Sequence, residues 1–181
     1  MKKLALIGLL FFALVNSSFS QSYLGWVKKS VKLREGPGTE YSVLMTIKSG
    51  SQIFLYSLET ENDFYYVIDI ETNIEGYIPS TIVTLGDIVP RSSTGLFSPS
   101  GKSSAYSPEL KIFNDTKYTM TLRMNEQTFE FSPHETRFMT ISPGAYEYFA
   151  SAPGVIPTFG SEMLQSNTAY DWHFYVLTTR R

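Results

Sequence analysis

The chain has 181 residues, with 15 basic and 17 acidic side chains, a formal net charge of −2 and no cysteine. This balance argues against nucleic acid or an anionic membrane surface as the partner, because both require a basic footprint. Without cysteine there is no disulfide, no thiol nucleophile and no lipid attached at a cleavage-site cysteine.

Residues Met1 to Ser20 have the form of a secretory signal peptide. Lys2 and Lys3 give a positive start, Leu4 to Val15 is an apolar run, and Ser18-Phe19-Ser20 places small residues at the cleavage positions. The run is too short to span a bilayer. The expectation is cleavage near the Ser20–Gln21 bond and a mature protein that is exported, periplasmic or secreted, without membrane insertion; a retained N-terminal anchor is the alternative. Loss of Lys2 and Lys3 moves the net charge to −4, and the excess lies early: residues 21–87 hold 5 basic and 9 acidic side chains, whereas residues 88–181 hold 8 of each.

Val31 and Leu33 alternate with Lys32 and Arg34, the period of a strand with one buried face. The pattern breaks at Gly36-Pro37-Gly38. The glycines are expected to supply backbone angles closed to other residues, and Pro37 fixes φ, so Glu35 to Thr39 is predicted to form a tight, pre-ordered turn. Tyr41 to Ile47 again suits a strand, Lys48-Ser49-Gly50 marks a turn, and Gln52 to Leu58 alternates once more. Short strands joined by short turns point to a barrel or sandwich.

Here the chain resembles the bacterial SH3-like (SH3b) domains, whose usual pattern is Leu-Asn-Val-Arg-x-Gly-Pro-x-x-x-Tyr, a Lys-x-Gly turn, a Trp-Tyr-x-Val strand and a closing Gly-Trp-Val. Leu33 to Tyr41 matches the first element, with Lys32 where the family often has Asn; Lys48-Ser49-Gly50 matches the turn. Phe64-Tyr65-Tyr66-Val67 takes the place of the Trp-Tyr strand and Gly76-Tyr77-Ile78 that of Gly-Trp-Val, so other aromatics replace both family tryptophans. The resemblance covers roughly Tyr23 to Leu85. It implies an SH3-like barrel over residues 21–87 that binds extended peptide across a shallow aromatic groove. The implied groove residues are Tyr41, Phe64, Tyr65, Tyr66 and Tyr77. Glu40, Glu61 and Asp63 are placed to meet a positive group, such as the free amine of a cell-wall peptide, or to be solvated loop charges. Tyr65 and Val67 share a strand face opposite Phe64 and Tyr66, so one pair is expected to be buried. Arg34 is expected to fix the loop that follows it by bonding nearby carbonyls or carboxylates.

Residues 88–108 turn rich in Ser, Gly and Pro, the composition of a linker, although Leu96-Phe97 and Tyr106 offer means of pinning it to one domain. From Glu109 to Arg181 the chain reads as six or seven short strands, predicted to form an immunoglobulin-like antiparallel β-sandwich. Leu110 and Ile112 open it; Tyr118, Met120, Leu122 and Met124 share a face; Asn125-Glu126 is a hairpin turn leading to Phe129 and Phe131. Phe138 to Ile141, Gly144 to Ala150 and Tyr170 to Leu177 complete the set. Asn114-Asp115-Thr116 and Pro143-Gly144-Ala145-Tyr146 loosely resemble the strand starts of small bacterial sandwich modules, a likeness of fold to which no activity attaches. The aromatic load of this half exceeds what one thin core needs, so Phe149 and Tyr175 are predicted to form an exposed strip.

Chemistry finds little footing. Asp171 and His173 lie two apart on a predicted strand and form the best catalytic dyad available, yet there is no Gly-x-Ser-x-Gly elbow and no second nearby His, and His134 reads as an exposed loop residue. No metal-ligand spacing and no phosphate-cradling loop are present, so no metal and no cofactor are expected. The whole reads as an all-β, non-enzymatic exported binding protein that recognises peptide, most simply peptidoglycan peptide. The alternatives are an envelope scaffold or adaptor binding another protein, and a hydrolase built on the second domain.

Overall fold

The computed structural model describes residues 21–175. The expected signal peptide, and residues 176–177 of the last expected strand, lie outside the described residues. Everything described is strand, turn or loop apart from one 3-10 turn at Ser80–Ile82.

The N-terminal barrel is built from β1 (Ser22–Val27), β2 (Val31–Arg34), β3 (Val43–Ile47), β4 (Gln52–Leu55), β5 (Phe64–Asp69), β6 (Ile74–Pro79) and β7 (Val83–Val89). They form one curled sheet in the order β3-β2-β6-β5-β4-β1-β7. Strand alternation sends Leu33, Ile47, Ile53, Leu55, Val67 and Ile78 into a closed apolar core. Two of the barrel's turns have a clear chemistry, the first of them as expected. Gly50 has φ +83° in the Lys48-Ser49-Gly50 turn. After β5 the buried Asp69 carboxylate accepts from the Thr72 amide at 3.1 Å and hydroxyl at 2.7 Å, which closes the turn to β6.

The Gly-Pro-Gly turn works differently from expectation. Neither Gly36 nor Gly38 has positive φ. What Gly36 needs is space, since a Cβ there would lie 2.4 Å from the Tyr41 ring; at Gly38 a Cβ would meet only the end of the exposed Glu40 side chain, which can move aside. Gly76 serves the same end as Gly36 on β6, where a Cβ would meet the Arg34 carbonyl oxygen at 2.5 Å.

The second domain has eight strands: β8 (Ser98–Lys102), β9 (Glu109–Asn114), β10 (Met120–Met124), β11 (Gln127–Phe131), β12 (Thr136–Thr140), β13 (Gly144–Ser151), β14 (Thr158–Leu164) and β15 (Thr168–Phe174). Two four-stranded sheets, β11-β10-β13-β14 and β12-β9-β15-β8, face each other as a sandwich. Leu110, Ile112, Tyr170 and Trp172 from one sheet pack on Met120, Leu122, Met124, Tyr148 and Leu164 from the other. The pairing is antiparallel except between β9 and β15, which run parallel. The corner between the sheets is pinned by Asn114, fully buried: its amide nitrogen donates to the carbonyls of Tyr118, Phe131 and Ser132 at 2.8, 3.1 and 3.0 Å, and its oxygen accepts from the Thr116 amide and hydroxyl. Asn125-Glu126 is the two-residue hairpin turn expected between β10 and β11.

Residues 88–108 are not a free linker. They contain β8, an edge strand of the sandwich. Phe97 is buried against Trp172 with ring centroids 5.7 Å apart, its amide donates to Glu162 at 3.0 Å, and the Tyr148 hydroxyl donates to the Thr94 carbonyl at 2.8 Å. The ring at Phe97 supplies the apolar area that the Ser and Gly composition lacks.

The barrel and sandwich also share a third apolar cluster. Phe54, Ile68 and Ile70, on the outer face of β4 and β5, pack with Leu24, Tyr56 and Val89 against Phe149 and Phe159 of the sandwich. The Gly154 amide donates to the Ile70 carbonyl across the junction at 2.6 Å. Phe149 is therefore not part of an exposed strip: its ring stacks on Tyr56 at 5.3 Å, because the barrel offers it a matching aromatic face. Tyr175 does remain exposed, at 56%.

Candidate functional site

The outer face of the barrel is divided in two. One half, centred on Phe54 and Ile68, is covered by the sandwich; the other half, on β5, β6 and the loop before β3, is open. Tyr66 and Tyr77 stand directly opposite each other on β5 and β6, with ring centroids 4.9 Å apart. Tyr66 stacks in turn on Tyr56 at 5.3 Å, and Tyr56 on Phe149. A continuous row of rings thus runs from the domain junction out to Tyr77. Tyr41, 43% exposed, holds its ring over Gly36 in the loop before β3, outside the row of ring contacts. Arg34 donates to the Tyr41 carbonyl at 2.7 Å, the loop-fixing role expected of it.

The row is acidic along its edge. The Tyr66 hydroxyl donates to Glu75 at 2.7 Å and the Tyr77 hydroxyl to Glu61 at 3.4 Å, so both phenols are oriented and keep their ring faces for contact. Glu40, Glu61 and Asp63 are exposed beside them. At the covered end Arg123 of β10 pairs with Glu75 at 3.2 Å, donates to the Tyr56 hydroxyl, and lies over the Phe149 ring at 4.4 Å. Burial draws the Arg123 guanidinium down, but the Tyr56 and Glu75 partners outweigh it and hold it above its ordinary value.

Of the candidate residues, Tyr66 and Tyr77 come together at the open face, while Tyr41 and Glu40 are exposed in the loop before β3, over Gly36 and beside Gly38. Phe64 and Tyr65 do not join them. Phe64 is buried at the start of β5, where its backbone makes a two-way bridge to Glu61, and Tyr65 faces inward against the barrel core. Tyr56, Glu75 and Arg123 escaped the sequence reading. Tyr56 was detectable, since it continues the alternation of Phe54 on β4; Arg123 was not, because its partners lie in the other domain.

Burial raises the Tyr56 phenol most, with Glu75 adding to it and Arg123 opposing; Tyr66 is raised by burial and by its hydrogen bond to Glu75. Both phenols therefore stay neutral in the folded protein above their ordinary value of 10. The sign follows from linkage: a raised folded pKa gives stability that is full below the unfolded value and is lost as pH rises towards the folded one. Stability measured by urea unfolding is expected to be flat towards pH 10 and to fall above it, with Tyr56→Phe flattening the fall; an unchanged slope in that variant would count against this role.

Asp171 and His173, the best dyad that the sequence offers, are not bonded to each other. The His173 Nε2 lies 3.0 Å from Asp115 instead, and His134 sits in an exposed turn with φ +58°. Among the described residues no cluster of His, Asp and Glu is arranged to hold a metal ion. Comparison with curated proteins and with solved structures gave no match. Residues 29–84, the stretch from the loop before β2 to the start of β7, match the family described as Bacterial SH3 domain, so this part of the chain is similar to that family.

Proposed function

We propose that the protein is an exported, non-enzymatic binding protein whose barrel takes an extended peptide along Tyr41, Tyr77 and Tyr66, the peptide being a stem or cross-bridge peptide of peptidoglycan. A bacterial SH3 domain is a binding module, which supports this reading at the coarse level. The observation that carries the finer one is the open aromatic row with its carboxylate edge. Rings oriented by Glu61 and Glu75 give contact area at low entropic cost, and Glu40, Glu61 and Asp63 suit a ligand with a free amine. Export is supported by the leader-like residues 1–20.

The test is retention of the chain from Gln21 onward on purified insoluble peptidoglycan, beside a Tyr41→Ala, Tyr77→Ala double variant. The parent is expected to be retained and the variant to bind at least about tenfold more weakly, since each truncated ring removes on the order of 1 kcal/mol or more of contact. Circular dichroism serves to show that the variant is folded. A parent that passes through unretained overturns the wall reading and turns the search to protein partners of the envelope.

A further inference from the structure

The parallel pair β9 and β15 carries a second constellation on the outer face of the sandwich. Their register sets Lys111 beside Asp171 and Phe113 beside His173, while β12 brings Thr136 beside Phe113. Ile112 and Trp172, between them in sequence, turn into the core. Together these outward groups line a cleft of about 280 Å³.

The cleft has two unlike sides. On one, Asp115 holds the His173 ring, whose centroid lies 5.0 Å from that of Phe113 at a 43° tilt, so the two rings make a fixed aromatic wall. On the other, the Lys111 ammonium, the Asp171 carboxylate and the Thr136 hydroxyl make no hydrogen bond or ion pair with any described residue. Oppositely charged neighbours in cross-strand register ordinarily interact. Here they stand as an adjacent donor and acceptor, unengaged, next to an apolar wall. A purely apolar ligand would leave all three polar groups stranded, and a phosphate-bearing one would face two carboxylates, Asp115 and Asp171. A sugar ring answers both sides, because it has an apolar C–H face and neighbouring polar substituents that donate and accept.

We propose that this cleft is a carbohydrate-binding site. The ring's C–H face lies on Phe113 and His173, one substituent donates to the Asp171 carboxylate, and its neighbour accepts from the Lys111 ammonium. The volume is below the roughly 300–1,000 Å³ of pockets for larger ligands and suits a short saccharide.

The test is an NMR titration of the whole protein with cellotriose and, separately, with chitotriose, repeated on a Lys111→Ala, Asp171→Ala double variant. At least one trisaccharide is expected to shift the amides of β9 and β15, and the variant to weaken that binding by about tenfold, the loss of two hydrogen bonds. Both side chains are exposed, so the thermal midpoint of the variant is expected to match the parent. No response to either sugar, shifts confined to other strands, or equal binding by the variant would each overturn the proposal. The trisaccharides carry no peptide, so this result stands apart from the fate of the barrel's peptide reading.

Discussion

Phe54→Ala is expected to cost about 3–5 kcal/mol of stability, the range for removing a fully buried phenylalanine and leaving a cavity. The ring is 0% exposed and makes edge contacts with Tyr56 at 5.3 Å, Phe149 at 5.7 Å and Phe159 at 6.0 Å. Two of those partners belong to the sandwich, so the hole opens at the domain junction. The expected signature in urea unfolding is therefore a change of shape as well as of midpoint. The parent is expected to unfold in one transition, because each domain buries apolar surface of the other, and the variant to separate into two, with barrel and sandwich melting independently. A single transition displaced by less than about 1 kcal/mol would show that the shared cluster contributes little.

Asn114→Ala is expected to cost about 2–3 kcal/mol, because the Phe131 carbonyl and the Thr116 amide lose their partner in the buried part of this corner, where an unsatisfied group costs about 1–3 kcal/mol, while the Tyr118 and Ser132 carbonyls keep the Thr116 hydroxyl and the Glu135 amide as donors. Asn114→Asp separates packing from hydrogen bonding: the volume is kept and the donors are gone, so it is expected to be no milder than alanine. The loss belongs to the sandwich, and tryptophan fluorescence reports it through Trp172 in that core. If the aspartate variant unfolds with the midpoint of the parent, the amide is not what holds this corner.

The barrel was legible because its turns are spelled by local chemistry. Lys48-Ser49-Gly50 needs a positive φ that glycine supplies, and the alternation of Val31 to Arg34 has one face to bury. The domain junction was also written in the chain, in a form easily passed over. Ile53-Phe54-Leu55, inside the run read as alternating, and Val67-Ile68 are consecutive apolar residues, so those strands are buried on both faces, and the second face is where the sandwich docks. Two strands left no such mark. Along β8, Ser-Pro-Ser-Gly-Lys, every residue is exposed and only backbone pairing makes it a strand; β14 has Gly160 in its middle because the Tyr148 hydroxyl lies where a Cβ would stand, 2.5 Å away. At the candidate site, Tyr66 and Tyr77 were readable from the family pattern. Phe64 was not, since alternation gives it the same face as Tyr66 and only the backbone bridge to Glu61 shows how the strand begins.

The stacked rings of Tyr56 and Phe149, locked by Arg123 and Glu75, make the joint between the halves a hinge that has been set. Any long polymer that touches both halves then meets them at one spacing and one angle, as it would the two jaws of a calliper. Weak contacts held in that way reinforce each other only on polymers whose own repeat fits the gap, and none of the gain depends on the length of a tether. Selectivity for a lattice with a regular period would follow from the joint itself, without a single strong contact anywhere on the surface.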